Sequence, residues 1–319
     1  MSDCHEVQTL SSTPLPKIEK DAPLIALAGQ PNMGKSTLFN LLTGLNQHVG
    51  NWPGKTVERK VGHFQLNGRP ARLVDLPGTY SLTANSPEEV ITREFILIEK
   101  PSVVVAVVSA ANLERSLYLV AELSALDAPV VVALNMMDVA GQEGICVDTH
   151  ILAAALGLPV VPMIASKAVG VRELLGVVES VIQGELIPSP HPPEVRADHQ
   201  DVLRKIESLI AGYMPEGYPR SWVTLKLLEG DTEVTLNMKK ALPPEIWEAV
   251  HEILRAHDDA FLAVASGRYD WIERMVRASV TRPKVGQIGL TGRLDRWACL
   301  LYTSPSPRDR TRSRMPSSA

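Results

Sequence analysis

The chain has 319 residues, of which 45% are apolar and 21% charged, and a formal net charge of −4. That is an ordinary globular composition, with length for about two domains. Balanced, slightly acidic charge excludes a duplex nucleic-acid binder built on clustered Lys and Arg, and 5 Trp, 6 Tyr and 4 Phe leave few platforms for stacking single-stranded bases.

Residues 1–22 are polar, contain Pro14 and Pro16, and read as a mobile leader. Asp3, Glu6 and Glu19, with no apolar core around them, argue against a signal peptide. Residues 23–184 form the first expected domain. Its apolar runs, at 24–28, 72–76, 103–108, 130–134 and 159–163, are short, β-branched and apolar throughout, as strands buried on both faces should be. Helical spacing falls at 35–42, 113–126, 149–156 and 171–182. Residues 57–66 instead alternate and meet Asn67-Gly68, a hairpin signal. The reading is an α/β domain whose mostly parallel sheet has one antiparallel edge strand and helices on both faces. Residues 151–166 are uncharged but broken by Gly157, Pro159 and Pro162, and fall short of the roughly 20 apolar residues a membrane span needs.

Pro188, Pro190, Pro192 and Pro193 mark a linker at 185–197. Residues 198–283 then show helical spacing in five stretches, at 198–213, 220–229, 232–241, 244–257 and 258–280, and read as a small all-helical domain. A stub covers 284–298. Residues 299–319 read as a non-native tail, a disordered basic tail being the other reading: between 303 and 319, 14 of 17 residues are Ser, Thr, Pro or Arg. Cys4, Cys146 and Cys299 offer neither a disulfide framework nor a zinc knuckle, as expected in a reducing cytosol. Nor do the eight histidines suggest a metal cluster, and Asp258-Asp259 beside His257 read as carboxylates at a helix start.

The chemistry sits in three ordered motifs. Gly29-Gln30-Pro31-Asn32-Met33-Gly34-Lys35-Ser36, followed by Thr37, fits G-x-x-x-x-G-K-[ST] between a strand and a helix. Such a loop wraps polyphosphate in main-chain N–H groups, with Lys35 for β/γ oxygens and the Ser36 hydroxyl for Mg²⁺. Asp75-Leu76-Pro77-Gly78, about 40 residues later at a strand end, supplies a carboxylate for Mg²⁺ and the Gly78 N–H as a γ-phosphate sensor. Asn135-Met136-Met137-Asp138 supplies the base reader: Asp138 can accept from N1–H and the exocyclic amine of guanine, and adenine has no N1 donor. Two softer pieces are Thr56, a candidate first-switch threonine for Mg²⁺, and Ala165-Ser166-Lys167, a candidate base-contacting loop. Together they read as a P-loop GTPase fold that binds GTP and GDP.

Asn51-Trp52-Pro53-Gly54 with Thr56-Val57-Glu58, and Asp75-Leu76-Pro77-Gly78-Thr79-Tyr80-Ser81-Leu82, resemble the cytosolic part of the ferrous iron transport protein B (FeoB) family. So do Asn112-Leu113-Glu114-Arg115 and Leu227-Leu228-Glu229-Gly230-Asp231, and the resemblance covers residues 22–297. It implies the regulatory GTPase portion of an inner-membrane Fe²⁺ importer, facing the cytoplasm. The helical domain would slow nucleotide release. Its implied partners are the membrane domain of the same protein, small cytosolic Feo proteins and a second copy of itself. The chain departs from the family after Trp297, where a first span is due, so this portion is itself expected to be soluble, with no iron pathway. Met136 replaces the usual Lys of the guanine motif; Gln30, Met33 and Lys55 also depart from the family pattern. Thr79 and Tyr80 follow D-x-x-G where Ras-type enzymes place a water-orienting Gln, which predicts slow hydrolysis. Asn32 matches the phosphate-loop Asn of the potassium-activated GTPases, where it helps hold K⁺; the plainer role is bracing the loop. A ribosome-associated GTPase and a P-loop kinase are the rival readings. The first needs a basic RNA-binding appendage, the second ATP preference.

Overall fold

The computed structural model describes residues 22–282, except 45, 85, 196, 216 and 258 and the side chains of 197 and 198. The leader up to residue 21, the stub at 284–298, the tail at 299–319 and with them Cys4 and Cys299 lie outside the described residues. In chain order the elements are β1 (Leu24–Gly29), α1 (Lys35–Thr43), β2 (Gln47–Asn51), β3 (Glu58–Leu66), β4 (Arg69–Asp75), α2 (Pro87–Glu99), β5 (Val103–Ser109) and α3 (Leu113–Leu123). There follow β6 (Val130–Asn135), α4 (Met137–Gln142), β7 (Cys146–Val147), α5 (Thr149–Leu156), β8 (Val160–Pro162) and α6 (Val171–Ile182). Five helices follow, α7 (Ala197–Ile210), α8 (Arg220–Leu228), α9 (Thr232–Ala241), α10 (Pro244–Ala256) and α11 (Ala260–Ser279), and a short β9 (Val280–Thr281) ends the described part; a 3-10 turn spans Ala165–Lys167. No described helix is long and apolar enough to cross a membrane.

The main sheet runs β2-β3-β4-β1-β5-β6-β8. Strands β1, β5 and β6 are buried at every residue, which is why their sequences carry no polar alternation. Alternate residues of β1 serve opposite layers. Ile25 and Leu27 pack with Leu38 of α1 and Leu174 of α6; Ala26 and Ala28 join a second core with Leu117 of α3 and Ile96 of α2. β3 is the one strand that runs against the others, as expected, but it is not the edge. β2 pairs outside it, with Val49 opposite Lys60. Gly62 of β3 lies under α1, where a Cβ would strike Thr43.

The core on the α2–α3 side continues without a break into the helical part, through Val202, Trp222, Val250 and Trp271. The strap between them is laid down rather than loose. Ser189 N–H donates to Gly157 O at 3.0 Å, His191 N–H to Leu156 O at 2.9 Å, and the Trp271 indole to His191 O at 2.8 Å. Buried charges close the same junction. Lys226 of α8 donates to Glu122 of α3 at 3.2 Å and to Glu229 at 2.7 Å, and Arg268 of α11 bonds Glu229 and lies 3.3 Å from Glu122. Arg93 of α2 pairs with Asp231 at 3.1 Å and with Glu233. The loop after Asp75 is caught in this web: Leu82 N–H donates to Glu122, Ala84 N–H to Asp231 at 3.2 Å, and Lys226 to the Thr83 hydroxyl at 3.1 Å.

Candidate nucleotide site

The phosphate loop leaves β1 at Gly29, where a Cβ would sit 2.8 Å from Val107 O. Thr79 N–H donates back to Gly29 O at 3.2 Å, and the Gln30 amide donates to Arg115 O at 2.7 Å, so the loop enters its turn fixed on two sides. Asn32 (φ 66°) and Gly34 (φ 85°) both lie in the left-handed region. Such turns direct successive N–H groups into one concavity, an anion nest, and α1 begins directly behind it. Pro31 and Gly78 are in close approach, a Cβ on Gly78 falling 3.2 Å from the proline ring. Thr37, the third residue of α1, is exposed.

Lys35 is buried and ion-paired with Asp75, and the Ser36 hydroxyl lies 3.4 Å from the other Asp75 oxygen. Asp75 is itself buried, at 6% exposure. A hydroxyl and a carboxylate this close are hard oxygen donors of the kind Mg²⁺ takes.

Asn135 ties this loop to the turn at 165–167. Its amide N–H donates to Met33 O at 2.9 Å and its carbonyl oxygen accepts from Ala165 N–H at 2.9 Å. A Cβ on Gly34 would collide with the same amide. Met136 adopts φ 63° and turns the chain into α4, placing Asp138 beside the 165–167 turn. Asp138 pairs with Lys167 at 3.0 Å, and the hydrogen bond from Lys167 holds its carboxyl below the usual range. Ser166 is exposed on that turn and Ala165 buried.

Thr56 stands apart. It is exposed in the β2–β3 loop and makes no hydrogen bond to Ser36 or Asp75 among the described residues. The loop is pinned at its base by Trp52, which is buried edge-on to Phe95 at 5.5 Å, with Arg59 over its ring at 4.9 Å. Two features escaped sequence reasoning. The Thr79 hydroxyl is buried beside the phosphate loop, and its position directly after D-x-x-G was the available signal. The histidines also need correction: His199, His257 and Asp259 do come together, because α7 folds back on the α10–α11 junction.

The family model for ferrous iron transport protein B matches residues 24–178, and that for the FeoB cytosolic helical domain matches residues 197–281. The Fe(2+) transporter FeoB of Escherichia coli K12 is 38% identical over 255 residues, 78% of this chain and 32% of that protein. The Methanocaldococcus jannaschii transporter of the same name is 38% identical over 85% of this chain and 41% of its own length. The chain thus spans about a third of the first of these relatives. Among solved structures, a GDP-bound S. thermophilus NFeoB variant is 33% identical, with TM-score 0.74 over 81% of this chain and 100% of that one. The L. pneumophila FeoB cytosolic domain is 35% identical, with TM-score 0.70 and the same coverage. Two family models in chain order, the phosphate loop and full-length overlap with solved cytosolic domains place this chain in the FeoB family, as its G domain and helical domain.

Proposed function

We propose that this chain binds guanine nucleotide and hydrolyses GTP as the cytosolic regulatory part of an Fe²⁺ transporter. The observation that supports the reading is the Asn135 bridge, which ties Met33 of the loop after β1 to Ala165, on the turn beside Asp138. Main-chain N–H groups of the 29–36 loop, all but Pro31, hold the phosphates, and Lys35 transfers from Asp75 to the β/γ oxygens. Asp138 accepts from the two guanine donors, with the stem of Met136 and the 165–167 turn against the base. Ser36, Thr56 and Asp75 would hold Mg²⁺, which supplies charge neutralisation on the phosphates. The Asn32 amide oxygen would help hold K⁺ against the same oxygens.

Gly78 senses the γ-phosphate through its N–H. Since neither Thr79 nor Tyr80 can orient an attacking water as a Gln does, intrinsic hydrolysis is slow. Binding orders the loops at 52–57 and 78–84, the second of which already touches the helical domain; the transporter's membrane domain, at whose cytoplasmic face this part sits, receives the change. Small cytosolic Feo proteins and a second copy of the chain are further partners of this reading. The test is calorimetry with GDP and ADP in excess Mg²⁺. Heat for GDP and none for ADP at the same concentration is the expected result; no heat for GDP, or equal affinities, overturns the reading.

A further inference from the structure

We propose a divalent first-row transition-metal site in the helical domain, built by His199, His257 and Asp259. These residues come from three elements. His199 lies in the first turn of α7, His257 closes α10, and Asp259 precedes α11. One candidate ligand atom from each lies within 4.8 Å of the other two, and His199 Nε2 is 3.5 Å from an Asp259 oxygen. The two imidazole rings meet at 70° with centroids 5.8 Å apart, so they do not stack face to face. An ordinary His–carboxylate ion pair needs one imidazole. Here a second is brought to the same point from a different helix, the geometry of a ligand set.

Two imidazoles and one carboxylate suit Fe²⁺, Zn²⁺ and Co²⁺, whereas Mg²⁺ and Ca²⁺ seek oxygen alone. Three protein ligands leave at least one coordination position for water. Metal–ligand bonds of about 2.0–2.2 Å require the three groups to draw in slightly from their present spacing. Asp259 can do this, since its side chain is 71% exposed, while that of His199 is 7% exposed. A bound ion would fasten the start of α7 to the α10–α11 corner and add its binding free energy to the stability of the helical domain.

The experiment uses the full chain saturated with Mg²⁺ and GDP, so that the phosphate loop is filled, and titrates Co²⁺ as a visible-absorption probe. One Co²⁺ per chain is expected, displaced by Zn²⁺ and, under anaerobic conditions, by Fe²⁺, but not by millimolar Mg²⁺. The order of displacement tells which ion the site prefers. His257→Gln and Asp259→Asn, at the more accessible ligands, are each expected to weaken Co²⁺ by about a hundredfold with GDP affinity unchanged. His199→Gln replaces a buried side chain, so the accessible pair carries the test. No Co²⁺ spectrum, an unchanged affinity in the His257→Gln, Asp259→Asn double variant, or displacement by Mg²⁺ overturns the site. GDP heats measured on the same sample keep that failure distinct from failure of the nucleotide reading.

Discussion

Asn135 and Asp138 lie three residues apart and have opposite physical characters. Asn135 is buried and its amide satisfies two main-chain groups, so Asn135→Ala leaves Met33 O and Ala165 N–H without partners. Each orphaned group costs about 1–3 kcal/mol, and the expected outcome is a lower melting temperature with weakened GDP binding. Asp138→Asn should change melting of the free protein little, because the half-buried side chain loses only its pair with the exposed Lys167, yet lower GDP affinity about a hundredfold or more in calorimetry. The Lys167 hydrogen bond keeps Asp138 ionised throughout the neutral range, so base recognition should not vary between pH 6 and 8. At Asn32, GTP turnover in KCl is expected to exceed that in NaCl, the gap closing in Asn32→Ala; equal phosphate release in both salts defeats the K⁺ assignment. Lys35, Ser36, Asp75 and Asn135 were legible in the sequence, since motif spacing encodes a strand–loop–helix whose geometry is largely local.

At the scale of elements, legibility depended on apolar periodicity. α2 was missed although Ser86 caps it, accepting from Glu89 N–H at 3.3 Å, and Pro87 opens it. Its inward face includes Glu89, Thr92 and Arg93, which blur the hydrophobic stripe. β2 was missed because none of its five residues is buried, so it has no inner face to write into the sequence. Arg93 and its partners belong to the buried web, whose centre is Glu122. Burial pushes the Glu122 carboxyl up, but Lys226, Arg268 and the Leu82 N–H outweigh it and hold it below its ordinary value of 4.5. A depressed folded value adds stability above the unfolded value, lost as pH falls through the folded one. Acid unfolding should therefore steepen below pH 4.5. Glu122→Gln leaves two cations short of a partner and should cost about 3–5 kcal/mol at pH 7. Its melting temperature should then depend less on pH in the acid range, which a thermal-melt series from pH 3 to 7 checks.

For the molecule as a whole, composition indicated two parts but not how they meet, because the buried charges at their junction, Glu122, Lys226, Arg268 and Arg93, read as solvated helix faces. Nor does spacing along the chain reveal that His199 reaches residues 257 and 259. One apolar core runs from β1 to Trp271, so the two parts should unfold in a single transition. GDP at about a hundred times its dissociation constant adds about 2.7 kcal/mol to whatever unfolds with its site. Trp222, Trp247 and Trp271 are buried in the helical part, and in Trp52→Phe, which removes the indole beside Phe95, the fluorescence melt should shift upward with GDP as far as circular dichroism does. A tryptophan melt indifferent to GDP would show two independent bodies. The proline-rich strap has a mechanical consequence. Stitched to the end of α5 on one side and to the α11 indole on the other, it leaves no slack for the helical part to swing like a weight on a string. If the proposed function holds, an arriving phosphate would reach the helical part as a slight tilt of interlocked solids, in the manner of a key turning a lock.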